Sequence, residues 1–304
     1  MLSTESRKPK FDVNLCLNCP TLTCEAWGAF DGSTGEIILG KNYTSRREIA
    51  SLTKIMTCYT VILLSRTMKI DIRKELVTIS KKAAYINGTK AELETGDKIS
   101  IYDLLFGLML PSGNDAALAL ADYFARLLYS QSFPSNQSIP NKIMKFFITE
   151  MNKNASRLGM KRTCYSNPHG LSDNNNKSTV QDLGILTFHA MKDELFRTIV
   201  KTQFYRANGF DIYNEKKEFE WNNRNILLDC GFNGVKTGTT PSAGHCLCSS
   251  IKRNGKSIIM ILLSAKSQKA RFSETKKLTS YLISHYQENN KFDVDSSIPQ
   301  SNIF

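Results

Sequence analysis

Apolar positions along the chain alternate between helical and strand spacing. From Ser51 to about Ser65, the residues Leu52, Ile55, Met56, Tyr59, Ile62 and Leu63 recur at offsets of three and four, which predicts a helix with one broad buried face. Ala26 to Phe30 and Glu36 to Leu39 are short apolar runs joined by Asp31-Gly32-Ser33-Thr34-Gly35, the make-up of a β-hairpin. Tyr102 to Leu110 and Asp115 to Leu128 read as helices interrupted by Pro111-Ser112-Gly113-Asn114, and further helices are predicted over Ile143 to Leu158 and Val180 to Met191. Asn167-Pro168-His169-Gly170 and the Asp and Asn residues after it form a loop. After Phe204 the spacing turns to β: Phe204 to Tyr213, Gly234 to Thr237, His245 to Ile251 and Ser257 to Ala265 predict an antiparallel sheet, with a turn at Arg253-Asn254-Gly255-Lys256. A closing helix over Phe272 to Tyr286 packs on it through Leu278, Tyr281, Leu282 and Ile283. The fold class is α/β in the α+β sense: an antiparallel sheet built from both chain ends, flanked by helices, with an all-helical lobe inserted between them.

Composition narrows the function. With 304 residues and 41% hydrophobic content there is material for one large core, and no apolar run approaches the roughly 18 to 20 residues that a membrane-spanning helix needs. Met1 to Lys10 contains no apolar segment of the kind that marks a secretory signal. The net charge of +12 raises the question of nucleic acid. The cations are scattered in ones, twos and threes with no zinc-finger or aromatic RNA-binding pattern, so no nucleic-acid partner is read. The eight cysteines are taken as free thiols, with Cys246 and Cys248 on one face of a strand. Cys16, Cys19 and Cys24 lack a nearby fourth ligand, so neither a metal site nor any other cofactor is predicted.

A serine three residues before a lysine on a helix places hydroxyl and amine side by side. Ser51-Leu52-Thr53-Lys54 has that form. Ser249 with Lys252 and Ser273 with Lys276 share the spacing, but the first pair sits on a predicted strand, where odd offsets diverge, and the second opens the last helix with no partner motif after it. Only Ser51 is followed in order by Ser112-Gly113-Asn114 and by Lys236-Thr237-Gly238, the three-part set of penicillin-binding proteins and serine β-lactamases. Ser172-Asp173-Asn174 mimics the second motif in an Asn-rich loop and is set aside.

With these motifs in place, the chain resembles the serine-type D-alanyl-D-alanine carboxypeptidases, low-molecular-mass penicillin-binding proteins of the β-lactamase/transpeptidase-like superfamily. The resemblance extends through Ile49 to Thr57, Leu104 to Ala117, Asn167-Pro168-His169-Gly170-Leu171, Asn223-Arg224-Asn225 and Gly234 to Gly238, and covers roughly Ala26 to Tyr286. It implies Ser51 as nucleophile, Lys54 as its base and Ser112 as a proton relay, with Asn114, Lys236, Thr237, Gly238, Thr239 and Arg271 binding substrate. The backbone N–H groups of Ser51 and Thr239 would hold the oxyanion; the substrate carboxylate would be bound by Thr237 with Lys236, with Arg271, in Lys269-Ala270-Arg271-Phe272, as another candidate. The substrate class would be a peptide or peptidoglycan stem peptide ending in D-alanyl-D-alanine, with β-lactams as covalent inhibitors. An ordinary lysine is neutral only about once in 2,500 molecules at pH 7, a deficit of about 4.6 kcal/mol. Burial against Leu52 and Met56 and the cation of Lys236 are expected to lower it. His169 and His245 are read as structural.

The expected organisation is a Cys-containing extension over 1–25, a peptidase domain over 26–290 and a polar tail over 291–304. The signal peptide, second β-rich domain and C-terminal anchor common in the family are not read here, which leaves the compartment open: cytoplasmic by the sequence alone, outside the membrane by the resemblance. Two other functions fit the same fold. A β-lactamase would use a Glu-x-x-Leu-Asn deacylation motif, which the sequence lacks. A non-catalytic penicillin- or peptide-binding protein would not require the intact Ser51, Lys54, Ser112, Asn114 and Lys236.

Overall fold

The computed structural model describes residues 18–134 and 142–295, with side chains described as far as residue 285. Cys16, the first 17 residues of the predicted extension and residues 296–304 of the predicted tail lie outside the described residues.

The main sheet joins the two ends of the chain. Strands β1 (Ala26–Asp31) and β2 (Ile37–Lys41) come from the N-terminal side, and β9 (Val235–Thr240), β10 (Gly244–Arg253) and β11 (Lys256–Ala265) from the C-terminal side. Their order is β2-β1-β11-β10-β9, antiparallel throughout. The central strand β11 is an unbroken apolar run because both its faces are covered. Ile258, Met260 and Leu262 point to one core, shared with Leu278 and Leu282 of the last helix, while Ile259, Ile261 and Leu263 point to the other. That last helix, Gln268–Asp295, runs past the 290 boundary drawn from sequence, and Leu22 and Cys24 pack into its core although they precede residue 26.

The opposite core is built with helices α1 (Thr53–Thr67), α3 (Ile101–Met109), α4 (Asn114–Ser132), α5 (Met144–Arg157), α6 (Val180–Ala190) and α7 (Glu194–Lys201), with the short α2 (Lys81–Ala84) beside them; the last helix is α8. Helix α1 corrects the expectation of a single buried face. Thr53 to Cys58, Thr60, Val61, Ile62, Leu64 and Ser65 are all buried, while Tyr59 and Leu63 are only partly so. A helix enclosed between sheet and lobe is covered nearly all round, and its apolar stripe no longer marks the inward side.

The inserted lobe is not all-helical, a second correction. It carries a four-stranded sheet, β4 (Leu76–Thr78), β5 (Lys98–Ser100), β7 (Phe204–Phe210) and β8 (Lys216–Asn222), in the order β4-β5-β7-β8. The strand at Phe204 therefore belongs to this second sheet and not to the main one. Its inward positions are Ala207 and Gly209, facing a partner strand that buries Phe219 and Trp221. Strand β8 escapes a pattern search because Lys216, Glu218 and Glu220 fill its exposed positions, and β4 and β5 because each is three residues long. A two-residue ladder of β3 (Arg47–Glu48) with β6 (Lys177–Ser178) ties the segment before Ser51 to the loop region after α5.

Candidate active site

Ser51 sits in a 3-10 turn, Ala50–Leu52, immediately before α1. Ala50 has φ 48°, a left-handed conformation that is costly for a residue with a Cβ and that surrounding structure must enforce. Two glycines do so. A Cβ on Gly170 would lie 2.0 Å from the Ala50 carbonyl oxygen, and one on Gly238 would lie 2.9 Å from the Ser51 nitrogen. The 167–171 loop and strand β9 thus close on the turn from two directions, as only glycine permits. Thr53 Oγ1 donates to the Ala50 carbonyl (2.9 Å) and accepts from Asn176 Nδ2 (2.8 Å).

Lys54, one turn on, is fully buried. Its Nζ lies 3.1 Å from Ser51 Oγ, 2.6 Å from Asn114 Oδ1 and 2.6 Å from the His169 carbonyl oxygen. Asn114 Oδ1 and the carbonyl can only accept, whereas the serine hydroxyl can also donate. A neutral amine therefore spends its two hydrogens on Asn114 and His169 and turns its lone pair toward the Ser51 proton; an ammonium serves all three. Burial lowers the Lys54 pKa to about 7, opposed by the buried Asp115 carboxylate and reinforced by the Arg224 guanidinium. Arg224 stands where the sequence pointed to Lys236. Lys236 is itself driven well below the ordinary lysine value, first by burial and then by Lys54, Arg224 and Arg271.

Each of Lys54's acceptors is wired from behind. Asn114 Nδ2 donates to the Asn87 carbonyl (2.7 Å), which fixes the amide orientation. Neither Asn114 nor Ser112 caps α4, whose N-cap is Gly113 without a side-chain bond. Ser112 has φ 66°, and its Oγ is buried without a hydrogen-bond partner beside the cleft. The Asp115 carboxylate accepts from the Ala91, Leu93 and Ala116 N–H groups and so pins the 87–93 loop to the start of α4. His169 is held by its own loop: Nδ1 accepts from Leu171 N–H (3.1 Å), Asn167 Oδ1 accepts from Gly170 N–H (2.7 Å), and Thr57 Oγ1 donates to the Pro168 carbonyl (2.6 Å). Burial and nearby Lys54 and Lys82 lower the His169 pKa to about 3, so the ring is neutral and its carbonyl alone serves the site.

The cleft has a volume of about 450 Å³ and is lined by Ser51, Ser112 and Asn114 on one side and by Thr237, Gly238, Thr239 and Arg271 on the other. Lys236 lies behind that second wall, buried, with Nζ donating to the Thr237 carbonyl at 3.2 Å. Arg271, on α8, is also buried; its Nη1 donates to the Gly238 carbonyl and Thr239 Oγ1, both at 2.9 Å, and more weakly to the Cys246 carbonyl, and its Nε has no partner. Seven of the nine candidate residues thus line one cleft, and Lys54 and Lys236 are buried behind its walls. The decoys stay away from it: Ser249 is buried in β10, Ser273 lies on α8, and Ser172 Oγ pairs with Ser242 Oγ at 2.8 Å. His245 is on β10 beside Thr239 Oγ1 (3.3 Å). Sequence reasoning did not give a site role to Arg224, Thr89, Leu171 or Gln268, which line the cleft, or to the His169 carbonyl and Asp115. Backbone acceptors leave no letter in a sequence, but Asn223-Arg224-Asn225 did stand out as a motif.

Among the described residues no group of His, Cys, Asp and Glu side chains is arranged to hold a metal, and Cys24, Cys58, Cys164, Cys230, Cys246 and Cys248 are free thiols. No helix of the described residues is long and apolar enough to cross a membrane.

A family model described as D-alanyl-D-alanine carboxypeptidase matches residues 15–129 and 143–267. A D-alanyl-D-alanine carboxypeptidase of Streptomyces sp. strain K15 is 36% identical over 269 residues, covering 86% of this chain and 88% of its own. The carboxypeptidase DacC of Escherichia coli is 32% identical, over 89% of this chain but only 64% of its own length. Among solved structures, the Streptomyces K15 DD-transpeptidase superposes with a TM-score of 0.79 at 35% identity, over 87% of this chain and 98% of that one. DacD of Francisella tularensis superposes with a TM-score of 0.72 at 27% identity, over 91% of this chain and 76% of its own. Sequence and fold thus agree, and the chain belongs to the D-alanyl-D-alanine carboxypeptidase family of serine peptidases.

Proposed function

We propose that the protein is a serine D-alanyl-D-alanine carboxypeptidase acting on peptidoglycan stem peptides or peptides like them, and that penicillins acylate the same serine. Lys54 takes the Ser51 proton as Oγ bonds to the carbonyl carbon of the penultimate D-alanine. The negative charge that develops on the carbonyl oxygen is held by the N–H groups of Ser51 and Thr239, each donor worth roughly a hundredfold in rate. The C–N bond then breaks, D-alanine leaves with a proton passed through Ser112, and water hydrolyses the ester to restore Ser51. Asn114 and the β9 edge at Thr237 and Gly238 align the peptide, while Lys236 and Arg271 supply positive charge toward its terminal carboxylate.

One observation carries this reading: among the described residues, the only hydrogen-bond partner of Lys54 able to give up a proton is Ser51. The test is intact-protein mass spectrometry after penicillin treatment, with a single adduct expected on Ser51 and none in Ser51→Ala. An unmodified wild type overturns the reading, and a short-lived adduct with continuous penicillin turnover moves it to a β-lactamase. The Streptomyces K15 relative of known structure is a DD-transpeptidase, and that activity shares the acyl-enzyme but resolves it with an amine in place of water. Adding an amine acceptor and measuring the ratio of hydrolysed to transferred product separates the two.

A further inference from the structure

Arg224 is the cleft residue with the most unspent chemistry. Its backbone is clamped: Arg224 N–H donates to the Leu110 carbonyl at 3.2 Å, Asn223 Nδ2 donates to the Val200 and Thr202 carbonyls, and Asn225 Oδ1 accepts from the Leu227 N–H. The side chain on this fixed support is exposed, lines the cleft, and makes no hydrogen bond or ion pair among the described residues. A guanidinium offers a planar fork that matches a carboxylate with two parallel hydrogen bonds.

Arg271, one of the candidates for the substrate carboxylate, is differently placed. It is only 5% exposed, and its Nη1 is committed to the Gly238 carbonyl, Thr239 Oγ1 and the Cys246 carbonyl, where it holds β9 against β10. One of its three nitrogens is therefore spent on the protein, while Nε has no partner. Arg224, by contrast, lines the same cleft exposed, with its whole guanidinium uncommitted among the described residues.

We propose that Arg224 is a second carboxylate-reading residue of this site, contributing specificity for a free peptide C-terminus together with Arg271. The inference rests on the peptidase reading above. Its consequence for the base follows from the charges facing Lys54: the Asp115 carboxylate from the start of α4, Arg224 from the loop before β9, Lys236 from β9 and the neutral His169 from the 167–171 loop. An anion that pairs with Arg224 cancels a charge that opposes protonation of Lys54, so the amine accepts the Ser51 proton more readily when the proper substrate is present.

The test compares an N-acylated peptide ending in D-alanyl-D-alanine with the same peptide ending in a carboxamide, using wild type, Arg224→Gln and Arg224→Lys. Binding is measured calorimetrically in a Ser51→Ala background, and kcat/KM with Ser51 intact. Arg224→Gln is expected to weaken the carboxylate peptide at least tenfold while changing the amide less than twofold. Arg224→Lys, which keeps the charge and loses the fork, should recover part of the difference. In Arg224→Gln the acidic limb of penicillin acylation should also move to higher pH, because removing a cation raises the Lys54 pKa. Equal losses on both peptides indicate a merely structural loop and overturn the proposal, as do unchanged affinities for both. Failure of penicillin to label wild-type Ser51 is a different result and overturns the peptidase reading, whereas the calorimetric comparison in the Ser51→Ala background stands without catalysis.

Discussion

A lysine amine held at a pKa of about 7 makes Ser51 reactivity a function of pH with a definite sign. The base works only when neutral, so the penicillin acylation rate should fall about tenfold per unit as pH drops well below 7, and level off above about 8. Stopped-flow acylation across pH 5 to 9 measures this directly. Replacing the amine should do more: Lys54→Ala is expected to lower acylation by a factor of roughly 10² to 10⁴, and to lower the thermal transition through the cavity and the two unpaired acceptors while leaving it cooperative. An unchanged rate removes Lys54 from the mechanism. Asp115 pushes Lys54 in the opposite direction from Arg224. Asp115→Asn should therefore shift the acidic limb to lower pH, and it should also lose about 1–3 kcal/mol of stability through the N–H groups of Ala91 and Leu93, readable by urea denaturation.

At the scale of elements, the site is a meeting of a turn, two loops and a strand edge, and glycine permits their approach. Gly170 has φ 84° and lies against the Ala50 carbonyl. Gly170→Ala should cost about 1–3 kcal/mol from backbone strain alone, and more from the clash; the same variant should slow acylation, because the loop that it displaces carries the His169 carbonyl. Thermal melts and acylation rates of one preparation test both. Much of this level was readable in the sequence. The helix that carries Lys54 and begins just after Ser51, the turn at Ser112 and the strand at Lys236 were all legible, because each combines a periodic apolar pattern with a polar break. What escaped was carried by other kinds of signal. Charged Lys216, Glu218 and Glu220 concealed a strand, the enclosure of α1 made its apolar stripe misleading, and the 3-10 turn at Ala50 depends on partners remote in the chain. The roles of the Asn87 and His169 carbonyls were invisible for a simpler reason, since every residue has a carbonyl.

For the molecule as a whole, the main sheet is the frame that brings residue 51 to residue 236. Its central strand is buried on both faces, so a cavity there should be costly: Leu262→Ala is expected to destabilise by about 2–5 kcal/mol, measured by guanidinium unfolding, and to act far from the cleft without altering its pH profile. The sequence allowed the sheet to be assembled from both chain ends and the lobe to be placed between them, because the β-spaced runs lie at the two ends. It left the second sheet out, because those strands are short, charged or built on small inward residues such as Ala207 and Gly209. The convergence of distant motifs was the part that spacing could suggest and only three-dimensional structure could display.

Lys54 has partners from four separate stretches of chain if the carbonyl that steadies Asn114 is counted with them: Ser51, Asn114, Asn87 and His169. No partly assembled chain can satisfy this buried amine, so the alcohol beside it should remain inert until the final docking event of folding. Covalent capture by an antibiotic would then act as a headcount of finished molecules, and its time course during refolding would report the moment of completion.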